Sequence, residues 1–227
     1  RLHKFPGTEF VLMTHLGYAD DMNDPDSREF TARQMEEFNV VHKKVLAARQ
    51  EPAPCSVAAS AGILTLPDTH LDFVRPGVML YGSSPLANET GEEIGLQPVM
   101  TLSSRLIAIH DLSAGDAVGY NASYVCDRDT RVGVVSIGYG DGYPRSAGNG
   151  TPVLIKTRLG SIRTRLIGRV SMDMITVDLS GIEAVSINDE VVLWGSGLCV
   201  DEVAHAAQTI AYELFCKVTR RVDFDYL

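Results

Sequence analysis

The hydrophobic period of this 227-residue chain changes near residue 97, and that change limits the folds open to it. Over residues 1–96, short apolar runs alternate with helical patterning. Phe10-Val11-Leu12-Met13-Thr14-His15 reads as a strand with a polar end, and Leu16–Asp26 as a loop rich in Asp, Asn and Gly. A helix is predicted over roughly 27–49, where Met35, Phe38, Val41 and Val45 recur at three and four residues and make one apolar face. Asp26 and Glu29 stand at capping-box spacing. Ser56-Val57-Ala58 predicts a second strand, Ala61–Leu64 a short helix, and Phe73–Gly82 contains a third strand. A β–α–β–α–β order implies parallel strands joined by helices, with functional residues gathered at the C-terminal strand ends.

Over residues 97–200 the helical period disappears. Thr101–Leu112, Ala117–Cys126, Arg131–Ile137, Pro152–Lys156, Ser161–Leu166, Ser171–Leu179 and Glu190–Trp194 are short β runs separated by Gly, Asp, Asn or Pro turns. That pattern predicts an all-β domain, a barrel or a sandwich. A single helix is expected over about 201–216, with Val203, Ala207, Ile210 and Leu214 on its apolar face. The boundary falls in the polar stretch Ala87–Gln97, so the expected organisation is an α/β domain over 1–96 and a β domain with a terminal helix over 97–227.

The formal charge of -9 disfavours a nucleic-acid partner. No apolar run reaches the length of a membrane span, and RLHKFPGTEF has no signal-peptide core. That opening also lacks an initiator Met and stands just before a strand, which leads to the expectation of upstream chain. Cys55, Cys126, Cys199 and Cys216 lack Cys-x-x-Cys pairing and read as free thiols in a reducing compartment, the cytoplasm. No metal site is expected.

Several short motifs carry candidate chemistry. Ser136–Arg145 reads SIGYGDGYPR after the apolar run Val132–Val135. Its G-x-G-x-G spacing is not that of a dinucleotide fingerprint, no helix pattern follows, and the Gly-Lys-Ser/Thr ending of a P-loop is absent. A glycine-rich turn between strands is the simpler reading. Arg75-Pro76-Gly77 places a permanent charge in an apolar strand, and that charge needs an acceptor, either a carboxylate or a ligand atom. Gly77 allows close backbone approach. Ser60 starts a short helix, as a plain cap or an anion contact, and His15 ends a strand, as a structural hydrogen bonder or a catalyst. Together these residues suggest an anionic ligand with an acceptor atom facing Arg75. Tyr120 is either a packing residue or a base, and as a base it needs a site that lowers its ordinary pKa of about 10. Asp173, amid apolar neighbours, reads as a turn or edge residue.

Taken in order, Met13-Thr14-His15 with Ala19-Asp20-Asp21, Ala58–Ala61, Arg75–Gly82, Val118-Gly119-Tyr120, Ile137–Tyr143, Gly168–Asp173 and Tyr212–Cys216 resemble alanine racemase along essentially the whole chain. The resemblance implies a partial (β/α)8 barrel followed by a C-terminal all-β domain, with pyridoxal 5'-phosphate (PLP) as cofactor and a homodimer with shared active sites. It implies interconversion of L- and D-alanine for peptidoglycan. A serine or broad-specificity racemase of the same fold is an alternative, as is a non-catalytic piece that binds phosphate ligands or a partner chain.

By position the resemblance makes Arg75 the partner of the pyridine nitrogen, supported by His15, and makes Ser60, Gly77 and Val78 the phosphate holders. Tyr120 becomes a catalytic base, Met172 the backbone contact to the substrate carboxylate, and Asp173 a lining residue. Tyr139 lines the entrance, with Arg145 and Arg169 further out. The family's cofactor lysine lies in a Val-Lys-Ala-Asn-Ala-Tyr-Gly motif that this sequence does not contain, and Ala59 stands where the family often has Asn.

Overall fold

The computed structural model describes residues 9–49 and 52–226. The chain divides into two compact units between Leu96 and Gln97.

The first unit is built on a parallel three-stranded sheet of β1 (Leu12–Met13), β2 (Cys55–Ala59) and β3 (Phe73–Arg75), in the order β1-β2-β3. β2 is central, and Cys55, Ser56, Val57 and Ala58 are all buried. Helix α1 (Pro25–Arg49) links β1 to β2, and α2 (Ser60–Thr65) follows β2 directly. Both predicted helices form, with shifted starts. Asp24, not Asp26, caps α1: its carboxylate accepts the Ser27 N–H at 2.9 Å, and Pro25 takes the first helical position, where a missing N–H costs nothing. That bond holds the Asp24 carboxyl below its ordinary range. Of the expected apolar face, Phe38 and Met35 pack against Leu16, Cys55 and Val57, whereas Val41 stays exposed.

Two strands are shorter than expected. β1 covers only Leu12–Met13 of the Phe10–His15 run, although its ladder continues through Thr14 N–H to Ser56 O. The Phe73–Gly82 run is a strand only to Arg75, because Pro76 has no N–H for the ladder. Val78–Tyr81 then forms a 3-10 turn that Gly82 ends at φ 83°.

The second unit holds a six-stranded antiparallel sheet: β4 (Leu102–Leu112), β7 (Thr130–Val135), β8 (Pro152–Thr157), β9 (Gly160–Arg165), β10 (Ile175–Asp178) and β11 (Glu190–Trp194), in the order β10-β7-β4-β11-β8-β9. A bridge between Leu166 and Val177 brings the two edge strands together, so the sheet curls into a barrel. Every residue of Val191–Trp194 is buried, and the Trp194 ring stacks on Tyr143 at 6.2 Å. The predicted Ala117–Cys126 strand is instead a two-residue ladder of β5 (Ala117–Val118) with β6 (Tyr124–Val125), interrupted at Tyr120–Ala122 where Asn121 and Ala122 have positive φ. The Ser171–Leu179 run is strand only over β10, since Ser171–Met174 closes a turn through Ser171 N–H to Met174 O.

The terminal helix is two helices, α3 (Val200–Ala206) and α4 (Ala211–Lys217). Gln208 at φ 56° ends the first, and Thr209 N–H returns to Ala204 O at 2.9 Å. Ile210, expected on the apolar face, is 62% exposed. All four cysteines are free. Among the described residues no helix is long and apolar enough to cross a membrane, and no cluster of His, Cys, Asp and Glu is disposed to hold a metal ion.

Candidate functional site

The first unit gathers its candidates at the C-terminal ends of its strands. Arg75, the last residue of β3, is half-buried, and its guanidinium faces back across the sheet. Nη1 donates to Ser56 Oγ at 2.6 Å, and Nη2 donates to Thr14 O at 3.0 Å and Val57 O at 3.2 Å, with His15 Nδ1 at 3.5 Å. Ser56 Oγ in turn donates to Phe73 O. Gln34 of α1 pins the end of β1 through Thr14 Oγ1 and His15 O. Arg75 is therefore oriented by β1 and β2 together, while its Nε–H has no partner among the described residues. It remains available to an acceptor from outside the chain.

Ser60 opens α2 and is buried, and its Oγ accepts the Gly77 N–H at 2.8 Å. Gly77 has φ -123° and ψ -102° and leads directly into buried Val78, the first residue of the 3-10 turn. The Gly77 N–H thus orients the Ser60 hydroxyl, which keeps its own proton to donate beside the N–H groups of the following turn, a donor set suited to an anion. The structure brings together His15, Ser60, Arg75, Gly77 and Val78 on one sheet end. Thr14, of the Met13-Thr14-His15 motif, belongs to the same cluster, as do Ser56 and Gln34, which the sequence did not single out as candidates.

The second cluster lies in the second unit. Tyr120 is 69% exposed on the interrupted β5–β6 connection. Its neighbour Gly119, at φ 80°, rests on the Gly168–Arg169 backbone so closely that a methyl group there would lie 2.6 Å from Arg169 N. The SIGYGDGYPR loop lies against Ser171–Asp173: Tyr139 N–H donates to Ser171 O at 3.0 Å and Gly140 N–H to Met172 O at 2.8 Å. Asp141 Oδ2 accepts the Gly138 N–H at 2.9 Å, closing the turn. Gly142, at φ 107°, is needed because a side chain would run into the Lys217 carbonyl oxygen. Tyr143 is buried, and burial pushes its hydroxyl pKa up. Met172, Asp173 and Tyr139 are exposed. Arg145 and Arg169, also exposed, line one cavity of about 350 Å³ with Ser123, Asn149 and Gly168.

No described lysine replaces the absent motif. Lys156 pairs with Glu190 at 2.8 Å, Lys217 pairs with Glu213 at 2.6 Å, and Lys43 and Lys44 are exposed on α1. Lys4 lies outside the described residues.

Residues 99–226 match the C-terminal domain of alanine racemase, and residues 1–85 match its N-terminal domain. The chain belongs to the alanine racemase family. The alanine racemase of Nitrosomonas europaea is 52% identical over 213 residues, covering 94% of this chain and 56% of that protein. That of Vibrio vulnificus is 46% identical over 228 residues, covering 100% of this chain and 60% of the relative. Among solved structures, the biosynthetic alanine racemase of Pseudomonas aeruginosa superposes with a TM-score of 0.85 at 46% identity, covering 97% of this chain and 58% of that one. The Bartonella henselae alanine racemase with covalently bound pyridoxal phosphate gives 0.77 at 27% identity, covering 96% and 56%. The chain thus spans well under two thirds of the length of these relatives. Its fold is that of the family over the shared length: a partial α/β barrel sheet in one unit and a β domain in the other.

Proposed function

We propose that this chain is the later part of a PLP-dependent alanine racemase, with residues 1–96 supplying part of the cofactor-binding barrel and residues 97–227 the β domain. The observation that carries the reading is the Arg75 cluster, which holds a guanidinium through Nη1 and Nη2 and leaves Nε–H without a partner among the described residues. The cluster fits PLP. Arg75 presents a donor to the pyridine nitrogen, with His15 beside it, and the Ser60 hydroxyl, oriented by the Gly77 N–H, suits the phosphate together with the Val78 amide.

When bound, PLP supplies the electron sink that makes the α-proton of an amino acid labile. A guanidinium does not give up its proton, so Arg75 leaves the pyridine nitrogen unprotonated and keeps that sink weak. Racemisation requires proton transfer on both faces of Cα. Tyr120 serves one face, and the lysine of an upstream half serves the other. Met172 receives the substrate carboxylate through its backbone N–H, and Asp173 lines the site. Tyr139 narrows the entrance, with Arg145 and Arg169 further out. The β domain of one subunit completes the site of its partner, so the working form is a homodimer. The substrate is alanine, matching the names of the relatives, and D-alanine feeds peptidoglycan synthesis in the cytoplasm.

Tyr120→Phe in the complete enzyme tests this directly. A positioned general base contributes about 100-fold or more, so kcat should fall by at least that much, with exchange of the α-proton into solvent lost more for one alanine enantiomer than for the other. Equal loss for both enantiomers, or a small loss, would refute the two-face assignment.

A further inference from the structure

Arg221 lies in the polar tail beyond α4, and the chemistry above makes no use of it. Its guanidinium joins two loops far apart in sequence. Nε stands 3.1 Å from Asp141 Oδ1, and Nη2 donates to Asp173 Oδ1 at 2.6 Å. Asp141 is the buried end, its side chain 13% exposed, and its other oxygen accepts the Gly138 N–H. Asp173 is the open end at 55%. The hydrogen bond to Asp173, reinforced by the charge of Asp141, raises the Arg221 pKa further.

Gly140 is the seat of this guanidinium. A methyl group there would run into Arg221 Nη1 and stand 2.9 Å from Met172 O, so only glycine lets the loop, the arginine and the Met172 carbonyl meet. Thr219 holds the tail in place: its N–H donates to Asp141 O, its Oγ1 donates to Gly140 O, and that same Oγ1 accepts the Arg221 N–H. Without the cation, two carboxylates on adjoining loops would repel each other.

We infer that Arg221 is a positioning residue: it clamps the SIGYGDGYPR loop to Met172–Asp173 and so fixes the backbone that receives the substrate carboxylate. The last clause rests on the assignment of Met172 proposed above. A planar fork spanning two carboxylates sets direction as well as distance. The guanidinium is itself half exposed, so losing it costs little global stability and loosens the two loops rather than unfolding the unit.

The test uses the complete enzyme, with a lysine-bearing first half, carrying Arg221→Gln, Arg221→Lys or Gly140→Ala. Hydrogen exchange at the Tyr139 and Gly140 amides, which bond to Ser171 O and Met172 O, reads the clamp. In Arg221→Gln these amides should exchange about tenfold faster, while the Val132–Val135 amides keep their protection. KM for alanine should rise about tenfold with kcat changed less than about threefold. Arg221→Lys, which lacks the fork, should recover part of the KM, and Gly140→Ala should repeat the Gln phenotype. Unchanged exchange at Tyr139 and Gly140 overturns the clamp. Faster exchange with an unchanged KM overturns its role toward substrate. If the unmutated enzyme fails to racemise alanine, the functional reading falls and takes the substrate clause with it, and the exchange rates still decide whether Arg221 clamps the loops.

Discussion

Ser60 and Gly77 come from successive strand ends and meet through one hydrogen bond, 2.8 Å from the Gly77 amide to the Ser60 hydroxyl. That bond occupies the Ser60 oxygen and leaves its O–H to donate outward, in a chain whose formal charge is -9. Removing one hydrogen bond to a charged group typically costs about 1.5–3 kcal/mol. Ser60→Ala in the complete enzyme should therefore weaken PLP binding by roughly tenfold or more, read by spectroscopic titration of the apoenzyme. Unchanged affinity would remove Ser60 from the phosphate site.

Arg75 should control which reaction follows loss of the α-proton. Arg75→Glu places a group that can share a proton where a guanidinium stood, strengthening the electron sink. Pyruvate formed from alanine in single-turnover experiments should rise, while racemisation falls. Absence of any increase would contradict the role given to Arg75. The same substitution strands the Thr14 and Val57 carbonyls, so unfolding measurements should show a loss of about 1–3 kcal/mol.

Much of this architecture was legible because it rests on local signals. The strand–helix alternation and the run of β segments each follow from periodicity, and Arg75-Pro76-Gly77 stood out because a charge in an apolar strand demands an acceptor. The acceptors themselves were hidden. Thr14 and Val57 contribute backbone carbonyls, which leave no mark on residue identity, and Ser56 in a buried strand is unremarkable until Arg75 reaches it. The sheet order β10-β7-β4-β11-β8-β9 depends on long-range pairing that no window of sequence contains. The terminal helix broke although Val203, Ala207, Ile210 and Leu214 keep helical spacing, since one left-handed residue, Gln208, outweighs that pattern. The bridge from Arg221 to Asp141 and Asp173 was equally unreadable, because two of its three members sit in unrelated turns.

Asp178 links the β domain to pH. Burial raises its carboxyl pKa, but hydrogen bonds from Ser180 and the neighbouring Arg165 overcome that and hold it below the ordinary value of 3.8. A depressed folded-state pKa contributes stability that is full above the unfolded value and disappears as pH falls through the folded one. The acid limb of unfolding below about pH 4 should therefore be shallower in Asp178→Asn, whose stability at neutral pH is already reduced. Identical slopes for the two proteins would show that Asp178 does not contribute.

The central claim is that this chain holds the Tyr120 base and the cofactor-holding residues while the lysine comes from elsewhere in the protein. The most direct measurement is alanine racemisation with PLP, followed by chiral chromatography, for the 227-residue chain alone and after association with a lysine-bearing first half. No turnover is expected of the chain alone, turnover is expected after association, and that turnover should be lost in Tyr120→Phe. Turnover by the isolated chain, or full activity in Tyr120→Phe after association, would contradict it.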